Sequence, residues 1–216
     1  TDACLGWEDS VTLIESLASL KSVRRKDDDR GGPIDPDNQG VDFHGERRTN
    51  DTHASITDPE AKLYRKSRAA ATKLYFSGNA VAENRCGLIV DFAIDDVLTG
   101  ERAAALRQLT RRKYRRIKTL AGDKGYCTKA FVQALRRRRI RPHLAFIEDG
   151  RRIPGLDRRT RRHATYRLSQ RKRKLIEQAF GWIKSVAGLR KSRFFGRART
   201  ELYALIAMSA YNLTRM

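Results

Sequence analysis

The chain has 216 residues, of which 40% are hydrophobic and 33% charged, and its formal net charge is +21. The hydrophobic content is that of a globular protein and excludes a wholly disordered chain. So large a positive excess is not needed for folding and indicates an anionic partner. Nucleic acid, with its closely spaced phosphates, is the leading candidate. No stretch reaches the roughly 18 apolar residues of a membrane helix, so no membrane partner is expected.

The N-terminal region is expected to lack targeting signals. It begins at Thr1 rather than a methionine and shows no basic and apolar signal peptide, which indicates a start inside a longer reading frame. The three cysteines have no metal-ligand spacing and suit free thiols in the cytoplasm. Within residues 1–20, the apolar run VTLIESLASL at 11–20 predicts a strand leading into a helix.

Residues 21–71 are predicted to be a charged insertion. Residues 24–50 are rich in charge, glycine and proline and poor in apolar side chains, which is typical of a loop or a disordered segment. Three successive acids there, Asp27, Asp28 and Asp29, are interpreted as a solvated charge run rather than a metal site.

The main body is predicted to span residues 72–216. Two runs rich in β-forming residues, at 72–81 and 86–94, predict a hairpin. A helix is expected over 99–112 with Thr99 as its N-cap. Strand, helix and strand then follow in the order that indicates parallel pairing and an α/β fold. The ranges expected for this unit are a strand at 118–123, a helix capped by Thr128, and a strand at 141–147.

Two further helices are predicted near the C-terminus, over 166–186 and over 201–213. In the first of these, Ile176, Phe180 and Ile183 repeat at the spacing of a buried helical face.

Asp123 is the first candidate for chemistry, because it ends a short apolar strand and ligands gather at the carboxyl ends of strands in open α/β sheets. The alternative for Asp123 is a turn or capping residue. Glu177 borders the apolar face of its helix, with Arg173 one turn before it. Its alternative is a surface residue paired with Arg173.

A two-metal site needs about three carboxylates, which hold the ions for an in-line displacement at phosphorus. Asp123 and Glu177 would supply two of them. Asp9 is the first choice for the third, and Glu8 and Asp2 are weaker options. The alternative for Asp9 is an exposed residue near a frayed terminus.

Clusters of basic residues in the second half of the chain are predicted to contact the phosphates of a nucleic acid, which positions this partner without reading its sequence. Three aromatic residues, Tyr166, Trp182 and Phe194, are candidates for stacking on bases, with core packing favoured for Trp182. The residues predicted to bind nucleic acid are Arg136, Arg137, Arg138, Arg139, Arg158, Arg159, Arg161, Arg162, Arg171, Arg173 and Lys184.

An ordered series of segments resembles the DDE transposases of bacterial insertion sequences. The segments are TLIESLAS, FHGERRTNDTHASITDPEAKLYRK, ENRCGLIVD, AGDKGY, SQRKRKLIEQAFGWIK and AYNL, and they cover almost the whole chain. The most specific part is DKGY together with an Arg-x3-Glu-x6-Lys pattern, formed here by Arg173, Glu177 and Lys184. The family's second catalytic Asp falls on Asp123 and its catalytic Glu on Glu177.

The resemblance implies an RNase H-like mixed sheet flanked by helices, with a poorly ordered insertion after the first strand. It also implies two divalent ions, Mg2+ or Mn2+, bound by Asp123, Glu177 and Asp9, and cleavage and strand transfer on double-stranded DNA at transposon ends and target. A homodimer and a cytoplasmic, nucleoid-associated location are expected on the same ground.

The sequence departs from the family pattern at the first carboxylate. The pattern Asp-Gly-Thr-Leu-Ile, aligned without a gap, places Ser10 where the acid belongs and leaves Asp9 one residue away. A shift of one residue turns a strand side chain to the opposite face, so either a local bulge restores Asp9 or the first ligand is missing. The alternative function is therefore an inactive, truncated transposase that only binds DNA.

Overall fold

The computed structural model describes residues 2–4, 11–27, 48–110, 117–145, 156 and 158–216, and within them the chain forms a mixed α/β fold. The predicted α/β class is thus confirmed. The strands are β1 (Asp2–Cys4), β2 (Val11–Glu15), β3 (Val23–Arg25), β4 (His53–Ser55), β5 (Lys62–Tyr64), β6 (Lys73–Glu83), β7 (Ile89–Asp96), β8 (Thr119–Gly122) and β9 (Arg141–Leu144). The helices are α1 (Glu101–Thr110), α2 (Lys129–Arg137), α3 (Arg158–Arg162), α4 (Ala164–Lys172), α5 (Leu175–Ser185) and α6 (Arg197–Arg215).

Seven of the described strands form the main sheet, which runs β7, β6, β1, β8, β9 across its width. Strand β6 is antiparallel to both β7 and β1, whereas β1, β8 and β9 are parallel to one another. Strand β2 pairs with β6 on the same side as β1. Strand β5 pairs with the first residues of β6 on its other side, next to the stretch of β6 that pairs with β7. The carboxyl ends of β1, β8, β9 and β2 therefore point the same way.

Strand β6 is the centre of the packing because both of its faces are buried. Phe76 belongs to a core built with α5 and α6, whereas Val81, on the other face, belongs to a core built with α1 and α2. At Gly78 a Cβ atom would come within 2.8 Å of Thr12 Cγ2 and 2.9 Å of Phe92 Cζ, so only glycine allows this approach. Among the described residues, no helix has the length and apolarity needed to cross a membrane.

Helix α6 packs along the outer edge of β7. The Asn212 amide accepts a hydrogen bond from the Ile89 N–H and donates one to its carbonyl, both at 2.8 Å. The Glu201 carboxylate accepts from the Ile94 N–H at 3.0 Å. Polar side chains of α6 thus satisfy backbone groups of a strand that has no further strand beside it in the described sheet.

Several predicted boundaries hold and others need correction. The hairpin, β8, β9 and α6 lie where they were expected, and Thr128 caps α2 by accepting from the Phe131 N–H at 3.4 Å. The prediction of Thr99 as N-cap is wrong. Helix α1 begins at Glu101, and the first intrahelical acceptor is the Gly100 carbonyl. The Thr99 N–H instead closes a turn onto the Asp96 carbonyl.

The regions before β6 also differ from the sequence-based expectation. The predicted helix after β2 is a short 3-10 turn at 20–22, preceded by a bend in which the Ser16 hydroxyl bonds both the Ala18 N–H and the Asp58 carboxylate. Within the predicted insertion, β3 pairs with β4 and β5 joins the main sheet, because buried side chains such as Val23 and Leu63 hold these short strands. Residues 28–47 lie outside the described part of the chain.

Candidate active site

Asp123 lies immediately after the carboxyl end of β8, where it precedes a 3-10 turn at 124–126. The turn is fixed by Tyr126, which is 1% exposed and packs its ring against Phe131 at a centroid distance of 5.3 Å. The Asp123 side chain remains 14% exposed, and its Oδ1 lies 3.2 Å from Nη1 of Arg173. The strand end therefore presents a carboxylate that is already paired with a cation.

Arg173 occupies the junction between α4 and α5. Helix α4 is held against β9 by the Tyr166 hydroxyl, which donates to the Leu144 carbonyl at 2.8 Å, and by the Gln170 amide, which donates to the His143 carbonyl. At the junction, hydrogen bonds join residues three apart instead of the four of an α-helix, because the Ile176 N–H donates to the Arg173 carbonyl. The predicted single helix over 166–186 is therefore two helices, with Arg173 directed to the end of β8 between them.

Glu177 lies in the first turn of α5 and is exposed. The opposite side of α5 buries Ile176, Phe180 and Ile183, as the helical spacing predicted. Glu177 follows Arg173 by four residues, across the junction between α4 and α5. In the described part of the chain, no side chain pairs with the Glu177 carboxylate. The alternative of a Glu177–Arg173 surface pair is not what the structure has, because Arg173 pairs with Asp123.

The family model for the transposase DDE domain matches residues 37–213, a range that contains Asp123, Arg173 and Glu177. The chain belongs to the transposase DDE domain family. The sequence-based assignment to DDE-type insertion-sequence transposases is thereby confirmed. Members of this family generally use divalent metal ions. A search of curated proteins found no match to this chain.

The position of the transposase's first carboxylate is constrained by the register of β1. Cys4 is opposite Ala121 of β8, and Asp2 is opposite Thr119. Asp2 thus lies four residues before the level of Asp123, about 13 Å along the strand, and is too distant to share an ion with it. Asp9 and Glu8 lie outside the described residues, so the prediction for Asp9 stays a prediction.

Strand pairing on either side of Asp9 is not in one continuous register. Cys4 is opposite Ala82 of β6 and Val11 is opposite Asn79. The chain therefore advances seven residues from Cys4 to Val11 while β6 advances three. The extra length falls between β1 and β2, in the stretch where the sequence departs from the family pattern.

Carboxylate oxygens fit a divalent ion such as Mg2+ in chemical type, and Asp123 and Glu177 provide them. The described residues do not contain a group of three His, Cys, Asp or Glu side chains able to hold a metal. The donor set thus fits in kind, with at most two acids from the described part of the chain. His143 and His163 do not add to it, because His143 bonds Ser169 at 2.8 Å and His163 bonds Thr165 at 2.7 Å.

The predicted DNA-binding residues divide into separate groups. The four arginines at 136–139 are exposed at the end of α2 and just before β9, and Arg141 at the start of β9 is opposite Thr119. They therefore lie near the edge of the sheet opposite to Asp123. Arg162 and Arg171 are exposed, and Arg161, Arg173 and Lys184 are half-buried. Arg158 and Arg159 belong to α3, and their side chains lie outside the described part.

The sequence did not reveal a buried polar group beneath α1. Asp95 lies 2.7 Å from Arg107 and accepts from the Asn79 amide at 3.0 Å. The Gln108 amide donates to Asp91 at 3.3 Å. The available signal was the alternation in β7, where Asp91 and Asp95 face α1 while Phe92 and Ile94 face the other core.

Proposed function

We propose that this chain is the catalytic domain of a DNA transposase that cleaves DNA at insertion-sequence ends and transfers the strands, with Asp123 and Glu177 as metal-binding catalytic residues. The observation that carries the proposal is the ion pair between Asp123 and Arg173. It fastens the end of β8 to the junction from which α5 begins, one turn before Glu177. Family membership gives this geometry a transposase context.

Each side chain has a distinct role in the proposed site. Asp123 and Glu177 would hold two divalent ions, Mg2+ or Mn2+, together with Asp9. The ions would supply activation of the attacking oxygen and stabilisation of the leaving oxygen. Arg173 orients Asp123 through their ion pair, and the guanidinium donors that this pair does not use suit a phosphate oxygen.

The proposed fold family is RNase H-like. The strand order β7, β6, β1, β8, β9, with β6 antiparallel to its neighbours and the last three strands parallel, supports this assignment. Because the last three strands are parallel, their carboxyl ends lie together, and ligands gather at this position in open α/β sheets.

Double-stranded DNA is the proposed substrate, and the basic residues of α3 and α4 are proposed to contact it beside Asp123. Arg162 and Arg171 are exposed there. The group at 136–139 lies near the opposite edge of the sheet and would meet a separate stretch of duplex or the target. A cytoplasmic, nucleoid-associated location goes with this substrate.

The test is nicking of a supercoiled plasmid that carries the DNA flanking this coding sequence, with Mg2+ or Mn2+ present or chelated. The full chain is compared with Asp123→Ala, Glu177→Ala and Asp9→Ala. Loss of nicking is expected for the first two variants. Asp51→Ala is the matched control, because Asp51 is an exposed acid in the turn before β4 and its replacement should leave nicking unchanged.

Two outcomes would contradict the proposal in different ways. Metal-dependent nicking that survives Asp123→Ala and Glu177→Ala would remove these carboxylates from the mechanism. No nicking by the parent chain, with salt-sensitive DNA binding intact, would instead establish the inactive DNA-binding protein. Retention of activity in Asp9→Ala alone would exclude only Asp9 as the third ligand.

A homodimer is also proposed, with a second copy of this chain contacting an aliphatic stripe on α6. Leu202, Leu205, Ile206 and Leu213 are 61%, 39%, 60% and 74% exposed. Residues 202–214 carry no charge, so two chains of net charge +21 can approach there without facing cations. Ile206→Glu should convert a dimer into a monomer in light scattering, whereas Leu98→Glu, at another exposed site, should not. A parent chain that is monomeric at every concentration would refute the dimer.

A further inference from the structure

Residues 190–197, hereafter the aromatic loop, combine exposed rings with cations. Phe194 and Phe195 are 39% and 42% exposed, although phenylalanine is normally withdrawn from water. Four exposed cations surround them, and no acid occurs between residues 190 and 197. The cations are Arg190, Lys191, Arg193 and Arg197.

The cations of this loop are only partly neutralised within the chain. Lys191 lies 4.0 Å from Glu15, and Arg197 lies 3.8 Å from Glu60. Among the described residues, no acid pairs with Arg190 or Arg193. Uncompensated guanidinium groups next to exposed rings are the combination that nucleic-acid-binding surfaces use for phosphates and bases.

The backbone of the loop is fixed from beneath, so the rings are presented rather than left on a free segment. Ser192 is 1% exposed, and its hydroxyl bonds both the N–H and the carbonyl of Phe194 as well as the Thr200 hydroxyl. Gly196 has a φ of 82°, and its N–H donates to the Asp58 carboxylate at 3.3 Å. The Phe194 ring also packs on Tyr203 at a centroid distance of 5.7 Å.

The loop and Asp123 both lie at the carboxyl ends of strands that run in the same direction. The Ser192 N–H donates to the Glu15 carbonyl at 2.7 Å, which ties the loop to the carboxyl end of β2. Along β6, Glu15 is opposite Tyr75 and Cys4 is opposite Ala82, and Asp123 lies two residues beyond the level of Cys4. The end of β2 is therefore about five residues, or roughly 16 Å, further along the strands than Asp123. That span corresponds to about five base-pair steps of duplex DNA.

We infer that the aromatic loop binds unpaired DNA bases, with Phe195 stacking on a base and Arg190 and Arg193 contacting the flanking phosphates. Phe195 is the principal ring, because Phe194 is already engaged by Tyr203. Stacking suits unpaired bases, since every base has a π-face and the bases of an intact duplex are covered by their neighbours. The inference rests on the proposed function only for the origin of such bases, which strand cleavage near Asp123 would expose.

The test measures binding without any metal, by fluorescence anisotropy of a labelled oligothymidine and of a blunt duplex of the same length. Phe195→Ala should weaken oligothymidine binding about tenfold and leave its salt dependence unchanged, because stacking is lost while phosphate contacts remain. Phe195→Trp should restore binding. Arg193→Ala should weaken both DNAs and lower the salt slope by about one.

Val90→Ala is the matched control, as it removes a 41% exposed apolar side chain near the amino end of β7 and should change neither affinity. Equal effects of Phe195→Ala on both DNAs, or no effect on either, would overturn the inference, as would failure of Phe195→Trp to restore binding at an unchanged thermal midpoint. The proposed function fails separately, through the nicking test with Asp123→Ala and Glu177→Ala, on which the oligothymidine measurement does not depend.

Discussion

Replacement of Arg173 by alanine should destabilise the protein through the carboxylate that it leaves behind. Breaking a fully buried ion pair by removing one partner costs about 3–5 kcal/mol, whereas exposed pairs contribute about 0–1 kcal/mol. The Arg173 and Asp123 side chains are 19% and 14% exposed, so they lie between these limits. After a discount for solvent screening, we expect a loss of about 2 kcal/mol in the free energy of unfolding.

For a chain of this length, that loss corresponds to a fall in the unfolding midpoint of about 4–8 °C. Differential scanning calorimetry of Arg173→Ala, Asp123→Ala and the double variant forms a mutant cycle, in which the coupling energy should be at least about 1 kcal/mol. Arg197→Ala is the control, because its pair with Glu60 is 3.8 Å long and its side chains are 47% and 50% exposed. Additive effects, or equal shifts for Arg173→Ala and Arg197→Ala, would refute the reasoning.

Three further substitutions test the packing around β6 and β7. Gly78→Ala should cost about 1–3 kcal/mol in urea denaturation, because the added methyl meets Thr12 and Phe92, and a neutral result would contradict that contact. Asn212→Ala removes two hydrogen bonds to β7 and should cost about 2 kcal/mol and speed amide exchange in β7, with unchanged exchange as the opposing result. For Glu83, burial raises the pKa of the carboxyl group. The backbone N–H groups of the hairpin turn that bind this carboxylate together lower the pKa by more, so the net pKa lies below the ordinary value. Its stabilisation is present above the ordinary carboxyl pKa and is lost as pH falls through the lowered value, so Glu83→Gln should flatten this acid-side loss.

The parts of the site that follow from local sequence could be predicted. The position of Asp123 at the end of a strand was predictable because an apolar run ends immediately before it, and the apolar face of α5 follows from the spacing of Ile176, Phe180 and Ile183. The ion pair with Arg173 could not be predicted, because it joins residues 50 positions apart through the docking of α4 on β9. The break between α4 and α5 also has no glycine or proline to signal it and depends on local changes in hydrogen bonding.

Short strands were the main features that composition concealed. Strands β1, β3, β4 and β5 have three residues each, too few for a period of two to emerge from the sequence. Their order comes from partners in the sheet and from burial, as at Leu63 on β5, which is 7% exposed. Charged and glycine-rich composition around them therefore predicted loop where the tertiary structure provides strand.

The side chains that α6 places along β7 determine which modes of assembly are open to this protein. Asn212 and Glu201 are 11 residues apart on a helix, about 16 Å, and the two residues they bind are five apart on a strand, again about 16 Å. The Asn212 and Glu201 side chains thus bind backbone groups of β7 that could otherwise pair with a strand of another molecule. Copies of the chain that come close together would then be protected from pairing edge to edge at β7, and this protection would depend on the last four turns of α6.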